Sequence, residues 1–285
     1  MSDLQLLCVH AHPDDESIST GGVLARYADE GIRTAVVTCT GGERGEIVGP
    51  DMDPDEIRPH LRQVREAELS RALDILAAGP PRFLGYVDSG MMGTDGNHDE
   101  ASFWRAPFDE AVARMVAQIR ALRPDVFVTY DAFGGYGHPD HIQSHRVACA
   151  AVEAADVAAL YPETGPAWRA RKVYFVVIPK SAIVRFNVEL IRQGLPSPFG
   201  AIDRVEDLPF GIADERVTTM IDVRAWQERK VAAIRAHATQ LGPDSFFLNL
   251  PDGLLEMFGE EWFVRCRSDV DVPEVEDDLF AGLRS

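Results

Sequence analysis

The sequence predicts an α/β protein: a Rossmann-like, mostly parallel sheet with helices on both faces and a smaller C-terminal elaboration. Three observations carry this. Short apolar, β-branched runs alternate with longer segments of helical periodicity. The first two such runs flank one helical segment between residues 4 and 40, which makes a βαβ unit and hence a parallel strand pair. Clusters rich in histidine, carboxylate or glycine follow the runs, at the carboxyl ends of strands where open α/β sheets bind their ligands.

The elements follow in order. Leu4 to Val9 is an apolar run that stops at His10-Ala11-His12-Pro13, and reads as a buried strand. Gly21 to Glu30 reads as a helix closed by Gly31, and Thr34 to Thr40 as a second strand ending at Gly41-Gly42. Leu61 to Ala78 is helical, Arg82 to Leu84 a short strand, and Phe108 to Leu122 a helix broken by Arg123-Pro124. Val126 to Tyr130 is a strand, Pro139 to Ala155 a helix and Val173 to Ile178 a further strand. Beyond residue 180 the alternation blurs. Arg224 to Thr239 remains helical in pattern, and the acidic stretch Asp269 to Asp278 reads as exposed. Residues 1–180 are thus expected to form a metal-binding core, and residues 181–285 an elaboration packed on the same domain.

Composition narrows the function classes. Of the 285 residues, 46 are acidic and 28 basic, a formal charge of −18. Nucleic acid is excluded as a partner, because binding it needs clustered cations that release counterions. Met1-Ser2-Asp3-Leu4 is followed by no long apolar region, and no run of about 18 apolar residues occurs, so neither a leader nor a membrane span is expected. Cys8, Cys39, Cys149 and Cys266 are far apart without a Cys-x-x-Cys pair, as free thiols in a reducing cytoplasm would be. No G-x-G-x-x-G follows the first strand, which argues against dinucleotide binding. A small-molecule substrate is the expected partner, and a homo-oligomer is compatible with all of this.

Two strand-end clusters carry the chemistry. The first is His10-Ala11-His12-Pro13-Asp14-Asp15-Glu16; the second is Gly134-Gly135-Tyr136-Gly137-His138-Pro139-Asp140-His141, after Tyr130-Asp131. Acids at a helix N-terminus are favoured by the helix dipole, which accounts for Asp15 and Glu16 but not for the histidines. Pro139 suits a first helical turn, with His138 at the cap. Two imidazoles and one carboxylate are a usual ligand set for a catalytic zinc, which keeps one position open for water. His12, Asp15 and His141 can supply it. Asp14 could then act as base, and His138 could stabilise an oxyanion or protonate a leaving amine, with Asp140 holding its tautomer and Tyr136 as a further donor. Spacing alone separates neither Asp14 from Asp15 nor His138 from His141. The same donor set also fits a non-haem iron oxygenase or a metal-binding module without turnover.

Ala11-His12-Pro13-Asp14-Asp15-Glu16 together with His138-Pro139-Asp140-His141 resembles the zinc-dependent N-acetylglucosaminyl deacetylases, the LmbE-like or PIG-L-like family. The resemblance runs through most of the chain. It implies a Rossmann-like fold and hydrolysis of an N-acetyl group from a glucosamine. It also implies zinc, or iron(II), on His12, Asp15 and His141, with Asp14 as base, His138 as electrostatic partner and Tyr136 as a mobile oxyanion contact. Asp88-Ser89-Gly90-Met91 with Gly93-Thr94-Asp95 resembles the mycothiol-biosynthesis deacetylases, whereas Gly41 to Glu46 is closer to the mycothiol S-conjugate amidases. Bacillithiol-type deacetylases share the core, so the aglycone could be inositol or malate.

Supporting residues have plainer readings beside functional ones. Arg65 and Glu68 fall in the apolar face of the Leu61 to Ala78 helix, where charges must be paired or face a cavity. They form an ion pair there, or Arg65 reaches substrate. Asp88 is a turn former or a ligand of sugar hydroxyls, and Glu46 likewise. Met91 lines the pocket. His237 packs at its helix end or makes a polar contact to substrate. His145 belongs to the core or backs the site, and His60 and His98 lie on the surface.

Overall fold

The computed structural model describes residues 3–49, 51–195, 202–242, 245, 248 and 259–284. In chain order the main elements are β1 (Gln5–His10), α1 (Asp15–Asp29), β2 (Arg33–Thr40), α2 (Pro54–Ile57), α3 (Leu61–Leu76), β3 (Arg82–Tyr86), α4 (Phe108–Leu122) and β4 (Val126–Tyr130). They continue with α5 (Gly134–Gly137), α6 (Pro139–Ala154), β5 (Lys172–Val177), α7 (Lys180–Arg192), β6 (Thr219–Asp222), α8 (Gln227–Ala236) and β7 (Glu260–Ser268). Among the described residues, seven strands form one sheet in the order β3-β2-β1-β4-β5-β7-β6. β1 to β5 pair in parallel, and β7 pairs antiparallel with both β5 and β6. The expected α/β class and mostly parallel sheet are therefore present.

Successive side chains of a strand face opposite sides of a sheet, and β1 shows what this builds. Leu6 and Cys8 enter one apolar core with Val23 and Leu24 of α1, Leu69 and Leu73 of α3, and Ala233 of α8. Leu7 and Val9 enter the other, with Met115 and Ile119 of α4 and Val147 and Ala148 of α6. Both faces of the sheet are covered, which is why its central strands are apolar throughout.

Two boundaries differ from expectation in a useful way. The first helix begins at Asp15, not Gly21, so the histidine–carboxylate motif is itself the turn into α1; Asp15 and Glu16 are its acidic first turn. The Arg224 to Thr239 segment opens as a 3-10 turn and its α-helix ends at Ala236, which leaves His237 as the cap. β6, β7 and α7 were hidden in the blurred region because they interleave charged with apolar residues, as in Glu260 to Ser268.

The late strands complete the sheet and clamp the early elements. Both oxygens of Glu261 in β7 accept mid-helix N–H groups of α1, from Gly22 at 2.8 Å and Val23 at 2.9 Å. Lys230 of α8 pairs with the same carboxylate at 2.7 Å. The acidic stretch Asp269 to Asp278 is mostly exposed, but Glu276 is a correction. It is buried and holds Lys172 at 2.5 Å and Arg265 at 2.6 Å, with the Tyr174 hydroxyl donating at 2.9 Å. Removing one partner of a buried pair strands the other charge. Glu276→Ala should therefore destabilise the fold by about 3–5 kcal/mol, read as a lowered urea midpoint at unchanged slope.

Candidate metal centre

β1 and β4 are neighbours, yet the chain leaves them toward opposite faces of the sheet: α1 follows β1 on one side and α6 follows β4 on the other. The crevice at their carboxyl ends is the topological switch point. Both histidine motifs open there.

Three donor atoms converge at its base. His12 Nδ1 lies 3.4 Å from Asp15 Oδ2, His141 Nε2 lies 3.4 Å from the same oxygen, and the two nitrogens are 3.3 Å apart. A tetrahedral ion with ligand bonds of about 2.0–2.2 Å needs edges of about 3.3–3.6 Å between its ligands. The triangle has that size, and its donor types are those of a metal site with an open fourth position. His12, His138 and His141 also come together, as do His12, Asp88, His138 and Asp140. In the second of these sets the His12 nitrogen facing the carboxylates is Nε2, the nitrogen away from the triangle.

The orientations of the histidines are fixed from behind. His12 Nε2 hydrogen-bonds Asp140 Oδ2 at 3.1 Å, which leaves the Nδ1 lone pair for a metal. Asp140 was expected to hold the tautomer of His138; its carboxylate serves His12 instead. His138 caps α6, and its Nδ1 accepts the Asp140 backbone N–H at 3.1 Å, so a neutral His138 carries its proton on Nε2. His141 Nδ1 donates to the Gly134 carbonyl at 3.1 Å, and its ring stacks on Tyr130. Gly134 has φ of +65°, and a Cβ there would lie 2.4 Å from that of His141. Only glycine lets the loop approach the ligand this closely.

The electrostatics are those of a site waiting for a cation. Burial alone would push the His12 pKa down, but Asp88, Asp140 and Asp15 push it well above the ordinary value. Burial works against ionised Asp15, yet His141 and His12 hold its carboxyl well below the usual range. Burial holds His141 down to about 4 and His138 down to about 3. Three carboxylates thus surround His12 and favour a cation at this spot.

Asp14 sits at the lip. Its backbone φ of 123° is outside the ordinary range for a side-chain-bearing residue, a strain of the sort concentrated at functional sites. Burial raises its carboxyl to about 6, against the pull of Arg65. Arg65 donates to the Gly42 carbonyl at 2.7 Å and to Asp14 Oδ2 at 3.1 Å, and also bonds the Pro13 carbonyl. The alternative Arg65–Glu68 pair does not form: Glu68 accepts the Thr239 N–H at 2.8 Å and its hydroxyl at 2.6 Å.

An open cleft of about 670 Å³ lies over the triangle, and its walls include Asp14, Glu46, Arg65, Asp88, Met91 and Tyr136. Asp88 accepts N–H groups from Gly90 at 2.7 Å and Arg44 at 3.2 Å, and lies 3.7 Å from His12. Burial opposes ionisation, but His12 above all, with the Gly90 N–H, holds its carboxyl far below the ordinary value. Met91 and Tyr136 are each about half exposed. Gln240 is the contribution of residues 181–285 to the wall among the described residues. His237 does not reach the cleft. It is fully buried, with Nε2 2.8 Å from Glu16 Oε1, and Glu16 Oε2 accepts the Asp14 N–H at 3.0 Å. His145 backs the site from Tyr130, whose carbonyl its Nδ1 meets at 2.9 Å; His60 and His98 are exposed. Glu16 was read as an acid of a helix start, without its partner His237, and Tyr130 and Ser89 were given no role of their own. A tyrosine at a strand end and a serine in a glycine loop carry no motif of their own.

The fold and the triangle together make a cluster that could hold a metal ion at the foot of a cleft. The model of the GlcNAc-PI de-N-acetylase (PIG-L) family matches residues 7–152, and the chain belongs to this family. A protein of Geodermatophilus obscurus, named 1D-myo-inositol 2-acetamido-2-deoxy-alpha-D-glucopyranoside deacetylase, is 47% identical across 98% of both chains. Among solved structures, N,N'-diacetylchitobiose deacetylase from Pyrococcus horikoshii shares the fold with a TM-score of 0.57 and 18% identity, covering 88% of this chain and 73% of its own. The 4-carboxy-2-hydroxymuconate hydratase GalB from Pseudomonas putida is as similar in fold, with a TM-score of 0.59 and 17% identity over 95% of this chain and 99% of its own. The fold alone therefore does not set the chemistry.

Proposed function

We propose that this protein is a zinc-dependent N-deacetylase of GlcNAc glycosides, of the GlcNAc-inositol type that supplies a low-molecular-weight thiol pathway. The observation that carries this reading is the tetrahedral-sized triangle of His12, Asp15 and His141 with Asp14 at its open face. The 47% identical relative, named as a GlcNAc-inositol deacetylase, supports the substrate. The four free cysteines support a reducing cytoplasm, and among the described residues no helix is long and apolar enough to cross a membrane.

Zinc held by His12, Asp15 and His141 would supply a Lewis acid that polarises a carbonyl oxygen and acidifies water. Asp14 takes a proton from the attacking water, whose oxygen adds to the acetyl carbon. The Nε2–H of His138 and the hydroxyl of Tyr136 donate to the negative charge that develops on the carbonyl oxygen. The proton held by Asp14 then passes to the amide nitrogen, the C–N bond breaks, and acetate and the free amine leave. Arg65 holds Asp14 in place, while Asp88, Glu46 and Met91 receive the sugar and its aglycone.

Three outcomes are expected. His141→Ala loses bound zinc, whereas Asp14→Ala retains it and loses most turnover, as metal analysis beside acetate release will show. Full zinc occupancy in the first variant, or near-normal turnover in the second, would overturn the assignments; a native preparation filled with iron(II) would replace zinc. In a panel of GlcNAc-inositol, GlcNAc-malate, free GlcNAc and a thiol S-conjugate, GlcNAc-inositol should have the highest kcat/KM. The S-conjugate in first place would make the enzyme an amidase. Asp14 works as a base only when ionised, so kcat/KM falls as pH drops through its pKa. Arg65 pulls that pKa down, so Arg65→Gln should move the acidic limb to higher pH than in the wild type. An unmoved limb would detach Arg65 from Asp14.

A further inference from the structure

One wall of the cleft and one arm of the triangle share a single carboxylate. Asp140 is fully buried, and both its oxygens accept. Oδ2 takes the Ser89 backbone N–H at 2.8 Å and meets His12 Nε2 at 3.1 Å; Oδ1 takes the Ser89 hydroxyl. The direction of that hydroxyl is not free. Ser89 Oγ also accepts the Trp104 backbone N–H at 2.9 Å. A backbone N–H can only donate, so the one hydroxyl proton of Ser89 points at Asp140. With Oδ1 accepting that proton and Oδ2 accepting the Ser89 N–H, Asp140 is held as an acceptor toward His12, which then presents N–H at Nε2.

Ser89 in turn belongs to the sugar-facing loop. Its neighbours Asp88, Gly90 and Met91 line the cleft. The loop is tied together by Asn97, whose side-chain amide donates to the Ser89 carbonyl at 2.7 Å and accepts the Gly93 N–H at 2.8 Å. We propose that Ser89 is a positioning residue for the metal. Through Asp140 it fixes which nitrogen of His12 faces the triangle, and so links the conformation of the 88–97 loop to metal affinity. This rests on the ligand set proposed above.

The test is a double-mutant cycle read by zinc affinity, measured by chelator competition and independent of activity. Ser89→Ala should weaken zinc about 10-fold, the lower end of the range for residues that orient metal ligands. Asp140→Asn should weaken it at least as much. If Ser89 acts through Asp140, the double variant binds no more weakly than Asp140→Asn alone, whereas an unrelated packing defect would add its own loss. Zinc affinity of Ser89→Ala within about twofold of wild type, unchanged affinity in Asp140→Asn, or additive losses would each overturn the proposal. The melting temperature of the metal-free variants shows that they are folded. Should Ser89→Ala not fold, Ser89→Cys, with a weaker donor, carries the same expectation. His12→Ala separates the two levels. Wild-type zinc binding there refutes the ligand set, while lost binding there with normal binding in Ser89→Ala refutes the role of Ser89 alone.

Discussion

Three lone-pair donors held 3.3–3.4 Å apart, mostly out of water, repel one another, and much of the surrounding structure exists to resist that. Each donor is braced by a different element. His12 is held through Asp140 at the start of α6, His141 by the Gly134 carbonyl and the Tyr130 ring, and Asp15 by the His12 backbone N–H at 2.8 Å. The braces come from both sides of the switch point. The adjacency of β1 and β4 is therefore what brings the two motifs together, although more than a hundred residues separate them along the chain.

The same constraint explains the local charge. Buried carboxylates raise the free energy of the fold unless a cation or donors answer them. At the base of the cleft the carboxylates face His12, and at the lip Asp14 faces Arg65. Away from the cleft, Glu276 with Lys172 and Glu261 with Lys230 repeat the solution with permanent charges. The overall excess of acids says little about function, because most of them are on the surface. The few that matter are those that the fold has matched one by one.

Much of this was legible in the sequence, for identifiable reasons. A parallel sheet needs strands apolar on both faces, and β1, β2 and β4 advertise that with uninterrupted runs. The ligand motifs stand out because histidines beside carboxylates at strand ends have few structural explanations. What could not be read depends on long-range placement. Whether Asp140 serves His12 or His138 depends on the turn into α6, and whether Arg65 pairs with Glu68 or Asp14 depends on what α3 packs against. β7 was hidden because its inward face carries Glu261, whose partners lie more than two hundred residues earlier and on α8.

The buried pairing of Glu16 with His237 has a consequence for how the protein is made. The two residues are 221 positions apart, and Glu16 lies one residue beyond the Asp14–Asp15 pair. At a synthesis rate of about 5–20 residues per second, Glu16 emerges about 10–40 s before its partner exists. Through that interval the Glu16 carboxylate has only the neighbouring Asp14 N–H and Ser17 hydroxyl as partners. The turn that carries Asp14 is thus the first part of the candidate site to be translated, and its buried pairing forms only after residue 237 has been made.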